Sequence, residues 1–177
     1  MHPIIYDVAV SIDGFISGPA GDVSKFAHDG PVVEDYTKRM AGYSAALMGR
    51  HTYEFGYDFG LAAGQNPYPH MKTNVVSKTL QVPDDSEISV WRTADAQDIR
   101  ELKKTSAGPI YLCGGGDFAG WMLRQGLIDR VILKRAPCIY GSGVALFGKS
   151  TDVATLSRVT TRSYDNGYLL EEFTRSP

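Results

Sequence analysis

The sequence predicts an α/β protein: a three-layer αβα arrangement with a mostly parallel central sheet and a C-terminal antiparallel hairpin. Three observations carry this. Apolar runs rich in β-formers alternate with helix-period segments along most of the chain. Glycines stand where strand-like runs meet helix-like ones, at Gly49 and at Gly114, Gly115 and Gly116. Near the end, Asp165-Asn166-Gly167 separates two strand-like runs, a strong hairpin signal. Alternation favours parallel pairing because parallel strands need a crossover, usually helical, between them.

Each element follows from local chemistry. "IIYDVAVS" is a β-rich first strand, and "IDGFISGPAGD" reads as a loop punctuated by Gly, Pro and Asp. "PVVEDYTKRMAGYS" places Val33, Tyr36, Met40 and Tyr43 on one helical face, with Pro31 suited to the first turn. "AALMG" is a buried strand and "RHTYEFG" a short helix. "GLAAGQNPYPHM" is a loop, followed by strands within "KTNVVSKT" and "SEISVWR". "DAQDIRELKKTSAG" is a helix that Gly108 is expected to stop. "PIYLCG" is a strand, "DFAGWMLRQGL" a helix and "DRVILKRAPCIYG" one long strand.

A chain of 177 residues with an ordinary 43% apolar fraction is most simply one domain, spanning 1–177. The net charge of −2 provides no global field for nucleic acid or an acidic membrane. No apolar run is long enough to span a bilayer, and the N-terminal run lacks a basic leader. A cytoplasmic protein acting on a small molecule is expected. Cys113 and Cys138 lie in separate apolar runs and read as thiols rather than a disulfide. His28, His51 and His70 have no metal-ligand spacing, so no metal is expected.

In a parallel sheet, ligands lie beyond the carboxyl ends of the strands. That rule puts three turns on one rim. Gly114-Gly115-Gly116 follows a strand and opens a helix, where unpaired N–H groups suit a phosphate; a merely tight turn is the alternative. Asp117 and Phe118 continue that helix. Gly49, Arg50 and Thr52 open another helix, and the guanidinium can fork onto a phosphate monoester. Ser77, Lys78 and Thr79 follow a third strand; Lys78 near Arg50 would favour a dianionic 2′-phosphate over a 2′-hydroxyl.

Together, "VAVSIDGFISG", "LMGRHTYE", "NVVSKT" and "IYLCGGGDFAGWMLRQGLIDRVILKRAPCIYGSGVALF" resemble the dihydrofolate reductase-like superfamily. The resemblance is closest to the reductase domain of the riboflavin-biosynthesis deaminase/reductase and covers nearly the whole chain. It implies NADPH as hydride donor. By motif, Ala9 and Ile16 would flank the nicotinamide, and Gly49, Arg50 and Thr52 would hold phosphate groups. Ser77, Lys78 and Thr79 would meet the adenosine ribose and its 2′-phosphate. Gly114, Gly115, Gly116, Asp117 and Phe118 would surround the pyrophosphate. A homodimer is also implied.

The acceptor side departs from the pattern. The carboxylate that dihydrofolate reductases carry on the first helix falls near Val33, and Phe15 stands where riboflavin-pathway reductases tend to have Lys. The expected activity is therefore broader: hydride transfer to a C=N or C=O bond of a small, pteridine- or pyrimidinone-like heterocycle. Asp7, inside the first strand, and Asp35, on the first helix, are the candidate proton donors. Asp7 has an alternative reading as the partner of a basic residue. The rival function is a non-catalytic nucleotide-binding protein that keeps the NADPH pocket.

Overall fold

The computed structural model describes residues 1–93 and 95–175. Its main sheet has eight strands in the order β5-β4-β3-β6-β1-β7-β10-β9. These are β1 Ile4–Val10, β3 Ala45–Gly49, β4 Lys72–Val76, β5 Ser89–Trp91, β6 Ile110–Gly114, β7 Arg130–Arg135, β9 Leu156–Ser163 and β10 Leu169–Arg175. The pairings among β1, β3, β4, β5, β6 and β7 are parallel, whereas β10 runs antiparallel to β7 and to β9. The expected α/β architecture with its closing hairpin is present.

Helices cover both faces, and period-2 alternation along β1 shows why. Ile4, Tyr6 and Val10 join a core with Ile99 of α3 (Ala96–Thr105) and Met122 of α4 (Gly116–Arg124). Ile5 faces the other way, toward Met40 of α1 (Pro31–Met40) and Tyr53 of α2 (Arg50–Phe55). Ile4, Leu47, Ile110 and Leu112 have no exposed surface; burying each stabilises the fold by roughly 1.5–3 kcal/mol. Asp95 caps α3, accepting from the Gln97 and Asp98 amides while the Asp98 side chain accepts from the Asp95 amide.

Four local expectations are corrected. The long strand ends at Arg135, because Pro137 offers no N–H; Ala136 N–H still donates to the Val10 carbonyl, but Cys138 N–H turns back to Ala136. Helix α3 ends before Gly108, at an extended Ser106. Gly108 serves packing instead, since an added Cβ would lie 2.4 Å from Ser44 Oγ. The first loop contains a short strand, β2 (Phe15–Ser17), paired with β8 (Val144–Ala145). On α1, Val32 is fully buried and Val33 only half so, and Tyr43 lies beyond the helix end. Both cysteines are free and half-buried. Among the described residues, no helix is long and apolar enough to cross a membrane.

Candidate functional site

A cleft of about 740 Å³ opens at the carboxyl ends of β1, β3, β4 and β6. Each wall has a local cause. After β1, Ser11 Oγ accepts from the Phe15 amide at 2.9 Å and donates to Asp13 Oδ1 at 2.6 Å, turning the chain back into β2. Asp13 also accepts from the amides of Tyr140 (3.2 Å) and Gly141 (2.7 Å). The Ser11 hydroxyl first, then these amides, hold its carboxyl below the usual range. This clasp seats β2 against β8, so that Ile16, Ser17 and Val144 form one side of the cleft.

The opposite side is made by the three turns. Gly49, Arg50 and Thr52 leave β3; Ser77, Lys78 and Thr79 leave β4; Gly115, Gly116, Asp117 and Phe118 leave β6. Lys78 is exposed. Arg50 is also accessible, meeting Glu54 at 3.5 Å and donating to His51 Nε2 at 3.0 Å. Ser77 Oγ accepts from the Thr79 and Leu80 amides, so it shapes its turn from inside. Asp117 Oδ1 accepts from the Lys149 amide, which draws the carboxylate toward the Gly148 bend.

The three glycines differ in role. Gly114 has φ +112°, a backbone state that L side chains rarely adopt. Gly115 lines the cleft, where an added Cβ would stand 3.1 Å from Thr52 Oγ1. Gly116 packs so closely on the Ala145 carbonyl that a Cβ would lie 2.2 Å from it. Of the residues expected to meet a cofactor, Ala9 and Gly114 are not in the cleft wall. Ala9 faces away from its cleft-lining neighbour Val8 and packs beneath α1, and Gly114 is the bend itself. The aromatics around the middle loop, Tyr53, Phe55, Tyr57, Phe59 and Tyr68, read from sequence as the lining of a flat pocket or as core or subunit-contact packing. The sequence reading missed Val8, Val23, Cys113 and Val144. Apolar residues in strands and loops carry no motif that would have singled them out.

The two candidate proton donors do not reach the cleft. Asp7 is fully buried under α1, where it accepts from Arg39 Nε at 2.8 Å, Lys134 Nζ at 2.7 Å and Tyr43 OH at 3.3 Å. Burial pushes its carboxyl up, but the Lys134 ammonium and Arg39 guanidinium outweigh that and hold it below the ordinary value. Asp35 accepts from Arg162 and, at 2.8 Å, from Tyr164 OH on the hairpin side. The Tyr164 hydroxyl is the main cause of its lowered pKa. Both carboxylates are drawn to partners outside the cleft wall, Asp7 to Lys134 and Arg39 and Asp35 to Arg162 and Tyr164, and these partners favour the anion.

Around Asp7 stands an aromatic cluster with no sequence motif. Tyr36 OH and Tyr111 OH are 2.9 Å apart, Tyr68 OH is 3.4 Å from Cys113 Sγ, and Lys134 Nζ sits 3.6 Å from the Tyr36 ring centroid. Burial raises the Tyr36, Tyr68 and Tyr111 hydroxyls and the Cys113 thiol above their ordinary values, so all stay protonated at neutral pH. Of the middle-loop aromatics, Phe55 lines the cleft, while Tyr53 is buried with its hydroxyl donating to Gln65 at 2.8 Å. Tyr57 and Phe59 are exposed. No group of three His, Cys, Asp or Glu among the described residues could hold a metal.

A parallel sheet with this strand order, a cleft at its carboxyl edge and a closing hairpin defines a dihydrofolate reductase-like fold. Residues 3–170 match the RibD C-terminal domain, and the chain belongs to that family. Uncharacterized protein YyaP of Bacillus subtilis (strain 168) is 26% identical over 174 residues, covering 93% of this chain and 90% of that protein. The crystal structure of a putative riboflavin biosynthesis protein from Shewanella sp. PV-4 superposes with TM-score 0.83 at 21% identity, over 100% of both chains. Enterococcus faecalis dihydrofolate reductase, solved with NADP(H), superposes with TM-score 0.68 at 13% identity, over 99% of this chain and 97% of that one.

Proposed function

We propose that this protein is an NADPH-dependent reductase acting on a C=N or C=O bond of a small heterocycle related to pteridines or pyrimidinones. The observation that carries the reading is the convergence of Arg50, Lys78 and the Gly115–Asp117 turn on one cleft, from three separate strand ends. An accessible guanidinium and ammonium on neighbouring turns suit the 2′-phosphate. The amides at the start of α4 suit the pyrophosphate, and the lack of a Cβ at Gly115 leaves room for it beside Thr52. NADPH, when bound, supplies the hydride. The chain supplies orientation: Val8, Ile16 and Val144 give the cleft an apolar wall against which the reacting end would lie.

A second reading has a specific observation behind it. Asp7 and Asp35 are both committed to basic partners and stand outside the cleft wall, which fits a non-catalytic nucleotide-binding protein. The test is oxidation of NADPH by purified protein across a panel of pteridines and pyrimidinones, followed by absorbance. Turnover with any member establishes the reductase. Tight NADPH binding with no turnover across the panel selects the binding protein instead.

A further inference from the structure

Cys113, Ala9 and Lys134 are the penultimate residues of three adjacent strands, β6, β1 and β7. Ala9 and Lys134 stand opposite each other in register, and Asp7 lies on the same face two residues earlier. The face is covered by α1, which contributes Tyr36 and Arg39. The cluster is continuous with the cleft through Cys113, which lines the cleft: its Sγ is 3.4 Å from Tyr68 OH, the Tyr68 ring packs on Tyr111, and Tyr111 OH is 2.9 Å from Tyr36 OH.

Charge in this cluster does not balance. Lys134 and Arg39 are two cations against the single carboxylate of Asp7, with side-chain exposures of 10%, 22% and 0%. Among the described residues, no other carboxylate lies within ion-pair distance of either cation. The face of the Tyr36 ring is the remaining partner of the ammonium. A ring face compensates a desolvated cation only in part. Burial accordingly pulls Lys134 below its ordinary pKa despite the attraction of Asp7. A Met in its place would leave a neutral Asp7–Arg39 pair, so stability alone does not call for the lysine.

Resting on the reductase reading, we propose that Lys134 is the specificity-determining residue of the acceptor site and selects a planar acceptor bearing a negatively charged oxygen. The acceptor lies under α1 against Cys113, with its charged oxygen on the ammonium where the Tyr36 ring now sits. Asp7 and Arg39 are positioning residues that hold Lys134 in place. No proton transfer is assigned to the lysine.

The test is calorimetric titration of the protein saturated with NADP+, using two matched probe pairs: pterin-6-carboxylate against 6-methylpterin, and orotate against 6-methyluracil. In at least one pair the carboxylate binds tenfold to hundredfold tighter, on the order of one charge-assisted hydrogen bond. In Lys134→Met this preference shrinks to less than about threefold, NADP+ affinity is unchanged, and Tm is retained or raised. Equal binding within both pairs, no binding by either carboxylate, or a preference that survives in Lys134→Met overturns the proposal. So does a fall in Tm of more than about 4 °C, which would make the lysine structural. Absence of NADP+ binding in the native protein overturns the cofactor reading and the lysine assignment together; normal NADP+ binding without anion preference overturns the lysine assignment alone.

Discussion

The rim of turns around the cleft and the cluster beneath α1 meet at Cys113, yet they hold charge in opposite ways. On the rim, Lys78 is exposed and Arg50 meets Glu54 and His51 of its own helix at the surface. These charges cost little to keep, and an arriving anion can take them up. Under α1, Asp7 is locked in short hydrogen bonds to Lys134 and Arg39, largely out of water, where an unanswered charge is costly. The contrast teaches that equal numbers of charges can serve different ends. Substitutions on the rim change what binds, and substitutions in the cluster change whether the chain folds or which acceptor fits.

The largest break in that contrast should come from Asp7→Ala. It strands the buried Lys134 and the half-buried Arg39, and a loss of about 3–5 kcal/mol is expected in denaturant unfolding. A loss below about 1 kcal/mol would show that the cluster is wet and loosely held. Next comes Gly115→Val, whose side chain projects at Thr52 inside the cleft while φ stays ordinary. NADPH affinity should fall more than about hundredfold with Tm nearly unchanged, as calorimetry and thermal melting would show. Asp7 also sets an acid limb. Its folded pKa lies below the unfolded value of about 3.9, so its contribution is complete above that pH and is lost as pH falls through the folded pKa. Stability measured from pH 6 down to pH 2 should drop, and Asp7→Asn should flatten that drop. Smallest of all is Asp35→Asn, which loosens the contact between α1 and the hairpin. Its melting temperature should shift far less than that of Asp7→Ala.

The two regions were also unequally legible in the sequence. Turns announce themselves, because glycine at a strand-to-helix junction and a hydroxyl-lysine-hydroxyl run after a strand each have a chemical meaning that needs no partner. Arg50, Lys78 and Gly115 could be named before their positions were known, and the strand-end rule placed them on one rim. Lys134 could not. Inside "RVILKRAP" it looks like one polar residue in a buried strand, and only the register of β7 against β1 brings it to Asp7. Tyr36 and Tyr111 are 75 residues apart, so their hydroxyl contact is a product of packing alone. The surroundings of Asp35 were hidden for a similar reason: its partners, Arg162 and Tyr164, come from the far end of the chain. The Asp-Asn-Gly turn was legible because it acts through its own backbone. Pro137 also acts through its backbone, yet the strand reading ran past it, and Gly108 packs against Ser44 and says nothing of where α3 stops.

The account turns on one claim, that three separate turns embrace a nicotinamide dinucleotide carrying a 2′-phosphate. Dissociation constants of NADPH and NADH for the native protein, Arg50→Ala and Lys78→Ala test it most directly. Each substitution should weaken NADPH by tenfold to hundredfold, the size of a lost charge-assisted contact, and NADH by less than about threefold. Equal losses for the two dinucleotides, or no loss for either, would contradict it.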